Sequence, residues 1–261
     1  MLGETARNAG YRLIVRDAVA STMEEARRAL DQGDTGKLWI VARQQNAGRG
    51  RHGRQWGSPP GNLYTSLLLT APCEPAVAPQ LGFVAGLALH DAASRVLGAA
   101  ADGLKLKWPN DLLLDRAKIA GLLLEGESRA GALNVIIGIG VNVASHPEGT
   151  PYPAAYLKQR QPQASVEALL AALGDAWVDR FSAWSLPGGF GPIRKAWLER
   201  AAFLGETVTL RLPEGPVSGI FADLDATGRL LLDTEGGRRT IDAGDLYFGG
   251  QEQQVSTSSR A

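Results

Sequence analysis

One cysteine and three histidines stand in this 261-residue chain, and each shortage closes off a class of function. A lone thiol, Cys73, cannot form a disulfide within the chain, so the sequence fits a reducing compartment and the expected location is the cytoplasm. Cys73 lies beside Pro72 and Pro75, in turn-like surroundings, and receives no nucleophilic role. His52, His90 and His146 with one cysteine do not supply a His/Cys zinc set. An excess of either charge is also missing: 27 basic residues balance 27 acidic ones, for a formal net charge of zero. That balance removes wholesale nucleic-acid binding from the expectations. No apolar run reaches membrane-spanning length, and Met1 to Arg12 lack the apolar core of a secretory signal. Internal repeats and extended low-complexity tracts are absent as well. The length suits one large domain, or a medium one followed by a small one.

Against this plain background, one segment is concentrated in a few residue types. Gly48 to Trp56 reads Gly-Arg-Gly-Arg-His-Gly-Arg-Gln-Trp. Glycine lets a backbone approach a ligand and reach positive φ without a Cβ clash. Arginine offers planar, bidentate donors suited to carboxylates and phosphates. The Trp56 indole can cover a flat ring or a guanidinium. Gly/Arg runs also occur in disordered nucleic-acid-binding tails. This one is short and stands between two expected strands, Trp39–Ala42 and Leu63–Leu69. Taken alone, the segment is equally a solvated basic turn or a loop that wraps a small anion.

The rest of the chain alternates strand and helix signals. Leu13–Val15 is an expected first strand. Ser21 has the type of an N-cap, with Glu24 three residues on to complete a capping box and Met23–Leu30 as helix. Leu81–Leu97 has helical periodicity, and Leu104–Lys107 alternates as a strand does. Ile119–Leu124 and Val135–Ile139 are short apolar runs of the buried-strand type. Val166–Trp184 and Pro192–Ala202 are expected helices. After Phe203 the pattern changes to short strands, 208–212, 217–222, 229–233 and 238–241, separated by Gly-containing turns. Their spacing predicts a small antiparallel barrel. The expected fold is therefore α+β: a mixed sheet with packed helices over 1–203 and an SH3-like barrel over 204–250. The polar residues 251–261 are expected to form a disordered tail.

Four further segments carry candidate chemistry, each with an ordinary structural reading beside it. Ser21-Thr22 either caps a helix or presents hydroxyls and backbone N–H groups to a polar head group. Lys107-Trp108-Pro109-Asn110-Asp111 is good hairpin-turn chemistry, and also a cation and two oxygen donors beside a Mg²⁺–phosphate group. Lys118-Ile119-Ala120-Gly121 takes a lysine into an apolar strand, where lysine is commonly a solvated edge residue. Ile137-Gly138-Ile139-Gly140-Val141-Asn142 places two glycines in a buried strand, which weakens it unless something approaches the backbone closely.

In this order, the five segments closely resemble the biotin–protein ligases, also called biotin–[acetyl-CoA carboxylase] ligases. The likeness is dense from Val19 to Asn142. It continues more weakly through Pro147–Pro153 and into the C-terminus, where Gly244-Asp245 stands near the family's closing strand. The resemblance implies an enzyme that activates biotin with ATP to biotinoyl-5'-AMP and transfers biotin to a lysine of a biotin carboxyl carrier protein. It implies that Ser21, Thr22 and Gln45 meet the biotin ureido group, with Met23, Gly48, Arg49, Gly50, Arg51, Lys118, Gly138 and Gly140 also around biotin. It implies that Arg51, Arg54, Trp56, Asn110, Asp111, Lys118 and Asn142 meet ATP, and that Lys118 and Arg51 are catalytic. Mg²⁺ would accompany ATP, with Asp111 its implied ligand.

One position departs from the family pattern. Met23 stands where asparagine commonly follows Ser-Thr, and a thioether cannot reproduce an amide's hydrogen bonds. The nearest rival is a lipoate–protein ligase, which also makes an acyl-adenylate; the complete Gly48–Trp56 loop and the Lys107–Asp111 turn favour biotin. A DNA-binding repressor form is not expected, because the family-like segments begin near Tyr11. Neither DNA nor membrane is an expected partner, and a homodimer is left open.

Overall fold

The computed structural model of the protein describes residues 1–129, 131–242 and 244–247. The tail expected over 251–261 lies outside the described residues. Twelve strands and five α-helices follow one another along the described chain. They are α1 (Glu4–Asn8), β1 (Arg12–Val19), α2 (Thr22–Asp31), β2 (Leu38–Gln45), β3 (Leu63–Thr70) and α3 (Gln80–Leu97). Next come β4 (Leu104–Lys107), β5 (Asp111–Leu114), β6 (Ala117–Arg129), β7 (Ala132–Val141), α4 (Val166–Trp184) and α5 (Phe190–Glu199). The last are β8 (Thr207–Leu212), β9 (Gly215–Leu224), β10 (Leu230–Thr234), β11 (Gly237–Ile241) and β12 (Asp245–Tyr247).

The first seven strands form one mixed sheet in the order β1-β2-β3-β7-β6-β5-β4. Only β1 and β2 run parallel; the other neighbours are antiparallel. Strand side chains alternate between faces, and here the alternation divides the apolar residues between two cores. Trp39, Val41, Leu67, Ile137 and Ile139 point into the main core, which α3, α4 and α5 cover. Leu38, Ile40, Leu68 and Ile136 point the other way and meet Met23, Ala26 and Leu30 of α2. A single ten-residue helix covers only part of that second face. Farther along it the same parity brings Ser66, Gly138 and Gly140, with Gly121 paired to Gly140 on the next strand. The sheet thus carries mostly glycine where α2 stops covering it.

The last five strands make an antiparallel sheet in the order β11-β10-β9-β8-β12. The turn spacing led to four strands; β12 adds a fifth, at the Gly244-Asp245 position. Val208, Leu210, Phe221, Leu230, Leu232 and Leu246 join the same main core as the helices. The Trp108 indole donates to Gly228 O at 3.3 Å, and Arg194 donates to Leu224 O at 2.7 Å. The small sheet is therefore packed onto the α3/α5 side and onto the turn after β4.

Three local expectations need correction. Ser21 does cap α2, but its hydroxyl accepts from Met23 N, while Glu24 pairs with Arg49 at 3.3 Å, so the expected capping box gives way to a contact with the glycine loop. The helix expected over Pro192–Ala202 runs from Phe190 to Glu199. Pro192 falls in its first turn, where a missing N–H costs nothing. Its expected last residues leave the helix because Leu106 N donates to Arg200 O and Ala202 N to Leu106 O, which completes the edge at β4. Finally, β6 extends to Arg129, well beyond the apolar run, because its charged end stays paired with β7 as far as Ala132.

Candidate active site

The bare stretch of the second sheet face is the floor of an open cleft with an empty volume of about 1060 Å³. Its glycines leave room that other residues use. A Cβ on Gly138 would lie 2.7 Å from the Met23 sulfur, and one on Gly140 would lie 2.7 Å from the Trp56 indole nitrogen. A Cβ on Gly121 would lie 3.2 Å from the same indole. The strand glycines therefore let a thioether and an indole rest on backbone.

A chain of polar contacts ties the start of α2 to the glycine loop. Ser66 and Thr22 hydroxyls meet at 2.8 Å. Thr22 N donates to Gln45 Oε1 at 2.9 Å, Gln45 Nε2 donates to Ser58 Oγ at 3.0 Å, and Ser58 Oγ donates to Trp56 O at 3.0 Å. Ser21, Thr22, Ser58 and Ser66 are all buried, so these bonds satisfy groups that water cannot reach. Thr22 N and Met23 N, backbone donors at this helix start, are already engaged by Gln45 and Ser21.

The loop itself is a closed ribbon. Trp56 N donates to Gly48 O at 2.9 Å and Gly50 N to Arg54 O at 2.7 Å, with Arg49 bridged to Gln55. His52 and Gly53 turn the tip with φ of 55° and 70°. Gly48 does not line the cleft. Its missing Cβ makes room for Ser58 Oγ and Trp56 O, each 2.7 Å from where that carbon would be. At the loop's far end Tyr64 donates to Pro59 O at 2.7 Å, and burial holds the phenol neutral, pushed up to about 12.

Charge gathers opposite the ribbon. The Lys118 ammonium lies 2.6 Å from Asp111 Oδ1, and Lys107 lies 3.9 Å from Oδ2 of the same carboxylate. Arg51 reaches across to Asn110 Oδ1 at 3.4 Å and to Gly244 O at 3.2 Å, so a loop residue touches both the β4–β5 turn and the C-terminal sheet. Lys118 also sits 5.4 Å from the Trp56 ring centroid and 5.3 Å from that of Tyr152, within cation–π range. The Trp56 indole N–H is buried and meets no acceptor among the described residues. A buried donor of that kind is costly unless a ligand supplies the acceptor.

Of the residues singled out in the sequence, Ser21, Thr22, Met23, Gln45, Arg49, Gly50, Arg51, Arg54 and Trp56 line this cleft. So do Asn110, Asp111, Lys118, Gly138 and Gly140. Asn142 lines a smaller adjoining recess with Trp56, Lys118 and Tyr152. The Asn142 amide there donates to Ala155 O at 3.1 Å, so it also fixes the segment beside Lys118. Sequence reasoning missed Ser58, Ser66, Tyr152 and Leu246. Ser58 and Ser66 carry little local signal, because the contacts that tie them to Gln45 and Thr22 are remote in sequence. Tyr152 does carry one: it is a lone aromatic held between two prolines.

The donor set is poor for a metal held by the protein alone. Among the described residues no group of three or more His, Cys, Asp or Glu side chains is placed to hold an ion. Asp111 is a single carboxylate and faces two lysines. Mg²⁺ commonly keeps water and substrate phosphates as ligands and needs few from protein. No helix among the described residues is long and apolar enough to cross a membrane.

Residues 17–142 match the Biotin/lipoate A/B protein ligase family, and residues 203–249 match the Biotin protein ligase C terminal domain. The chain is 42% identical over 237 residues to the biotin–[acetyl-CoA-carboxylase] ligase of Paracoccus denitrificans, covering 88% of this chain and 98% of that protein. It is 30% identical over 247 residues to the bifunctional ligase/repressor of Bacillus subtilis, covering 92% of this chain and 75% of that one. A biotin protein ligase of Aquifex aeolicus, solved in complex with biotin and ATP, has the same fold. Its TM-score is 0.76 at 30% identity, over 90% of this chain and 97% of that one.

Proposed function

Because this chain belongs to the biotin/lipoate A/B protein ligase family, we propose that it joins biotin to AMP and passes the biotinoyl group to a carrier-protein lysine. The observation that supports this most is the convergence of Arg51, Lys118 and Trp56 on one glycine-floored cleft beside Thr22 and Gln45. Two anions must meet there, and fixed cations lower the repulsion between them.

In the first step a biotin carboxylate oxygen bonds to the α-phosphorus of ATP. The bond from that phosphorus to the bridging oxygen breaks, and pyrophosphate leaves with its electron pair. Lys118 and Arg51 are the residues we assign to the growing negative charge, with Arg54 beside them. An arriving phosphate competes with Asp111 for the Lys118 ammonium. ATP enters as its magnesium complex. The Trp56 indole and the recess it lines with Asn142 suit a flat ring with acceptor atoms. At the other end Ser21, Thr22 and Gln45 offer hydroxyl and amide groups to a ureido ring. Met23 lies on Gly138 and supplies apolar contact where an asparagine would supply hydrogen bonds.

In the second step an uncharged lysine amine of the carrier attacks the biotinoyl carbonyl carbon. The carbon–oxygen bond to AMP breaks, AMP leaves, and the amine loses a proton to form the amide. The mixed anhydride reacts readily with water, so the Gly48–Trp56 ribbon is assigned the task of excluding it. The partner we assign is a biotin carboxyl carrier protein, in the cytoplasm.

The test is exchange of labelled pyrophosphate into ATP with biotin or lipoate as the added acid. Biotin-dependent exchange, with none from lipoate, is the expected result. Exchange that answers only to lipoate would overturn the assignment.

A further inference from the structure

We propose that Tyr152 is a positioning residue for adenylation: together with the Trp56 ring, its ring holds the Lys118 ammonium at the reacting junction. This rests on the ligase reading of the cleft. Lys118 has a long flexible stem, and its strongest contact is Asp111, at 2.6 Å. A phosphate that draws the ammonium away from Asp111 would leave that stem without its main anchor. The ring faces of Trp56 and Tyr152, 5.4 and 5.3 Å away, remain as contacts that a ligand anion does not compete for.

The backbone makes Tyr152 well suited to this. It stands between Pro151 and Pro153, so neighbouring φ angles are fixed and Tyr152 itself is held extended. Lys118 N donates to Pro153 O at 2.8 Å, and Ala155 N donates back to Lys118 O at 3.0 Å. Thr150 Oγ1 closes the other side on Tyr152 O at 2.6 Å. Tyrosine and lysine are thus laced together through main-chain bonds, and the ring rides with the strand that carries the ammonium. Among the described residues the Tyr152 hydroxyl makes no hydrogen bond, which assigns the effect to the ring face.

Two variants separate ring from hydroxyl. In single-turnover adenylation, Tyr152→Phe should stay within about twofold of wild type, whereas Tyr152→Leu should slow the step by roughly 5- to 30-fold. Biotin affinity measured without ATP should stay within about twofold in both. The proton signal of the Lys118 ε-methylene, in ¹³C-lysine-labelled protein, should be shifted upfield by the rings in wild type and Tyr152→Phe. Tyr152→Leu should lose part of that shift. A wild-type rate in Tyr152→Leu, an equal loss in Tyr152→Phe, or a parallel fall in biotin affinity would each overturn the proposal. If wild type shows no biotin-dependent exchange, the ligase reading fails separately. The spectrum then decides for Lys118, and an unshifted methylene in wild type rejects the ring-held geometry.

Discussion

The backbone of Gly140 carries the indole of Trp56: a Cβ at this glycine would sit 2.7 Å from the indole nitrogen. Neither residue is near the other in sequence, yet each needs the other's chemistry. The indole needs a bare floor, and two glycines in the middle of a sheet need a reason to be there.

Gly140→Ala should therefore push Trp56 off the floor. Overpacking of this kind costs about 1–3 kcal/mol, which corresponds to roughly 5- to 150-fold in a rate or affinity that depends on the indole. Nucleotide-dependent exchange should fall by that order, while the melting temperature changes little because Trp56 lies on a loop. Gly138→Ala meets only the flexible Met23 thioether and should lose less. Equal losses in the two variants would count against the indole as the sensitive partner.

Lys118→Met keeps much of the side-chain length and removes the charge. Loss of a charge-assisted contact worth about 2–4 kcal/mol in the transition state should slow adenylation by roughly 30- to 1,000-fold. Biotin affinity should fall much less, because Thr22 and Gln45 stand at the other end of the cleft. Single-turnover kinetics with separately titrated biotin check this; a binding defect with an unchanged chemical step would refute it.

Arg51→Gly removes the guanidinium that reaches Asn110 and Gly244. The ribbon then has less to hold it against the rest of the cleft. Hydrogen bonds to a charged group are worth about 1.5–3 kcal/mol, so biotinoyl-AMP should escape roughly 10- to 150-fold faster. Chromatography of released intermediate, and biotin appearing on bystander proteins, would report it. A variant that retains the intermediate and labels only the carrier would show that Arg51 does not hold it.

Asp225 offers a pH test away from the site. Burial opposes its ionisation, but bonds from Thr227 and Arg229 outweigh that and hold the carboxyl down at about 2, against an ordinary 3.8. A depressed folded-state value stabilises the fold above the unfolded value, and the gain is lost as pH falls through the folded one. Asp225→Asn should then be less stable than wild type at neutral pH, by under about 1 kcal/mol because its partners Thr227 and Arg229 are exposed. The gap should close between about pH 4 and pH 2. Denaturant melts across that range measure it, and a gap that stays constant would exclude the carboxylate as its source.

Much of the candidate site is legible in sequence because its chemistry demands particular residue types within short segments. Anion handling calls for the arginines at 49, 51 and 54 and for Lys118; close approach calls for Gly138 and Gly140. Helices α3 and α4 and the interior strands are equally legible, since their periodicity is local. Other features depend on which elements become neighbours. Glu24 has the spacing of a cap residue, but the fold brings Arg49 within its reach, and the ion pair replaces the capping box. Arg200 to Ala202 read as helix, yet the open edge of β4 at Leu106 takes their backbone bonds. Ser58 and Ser66 become parts of one relay only because β2 and β3 are adjacent under the start of α2. Tyr152 reaches Lys118 only because the chain after β7 returns along β6. Sequence alone determined the kinds of groups this protein can bring to two anions. Tertiary structure decided which of them meet, because hydrogen-bonded strand order, and not local periodicity, sets the distances between remote side chains.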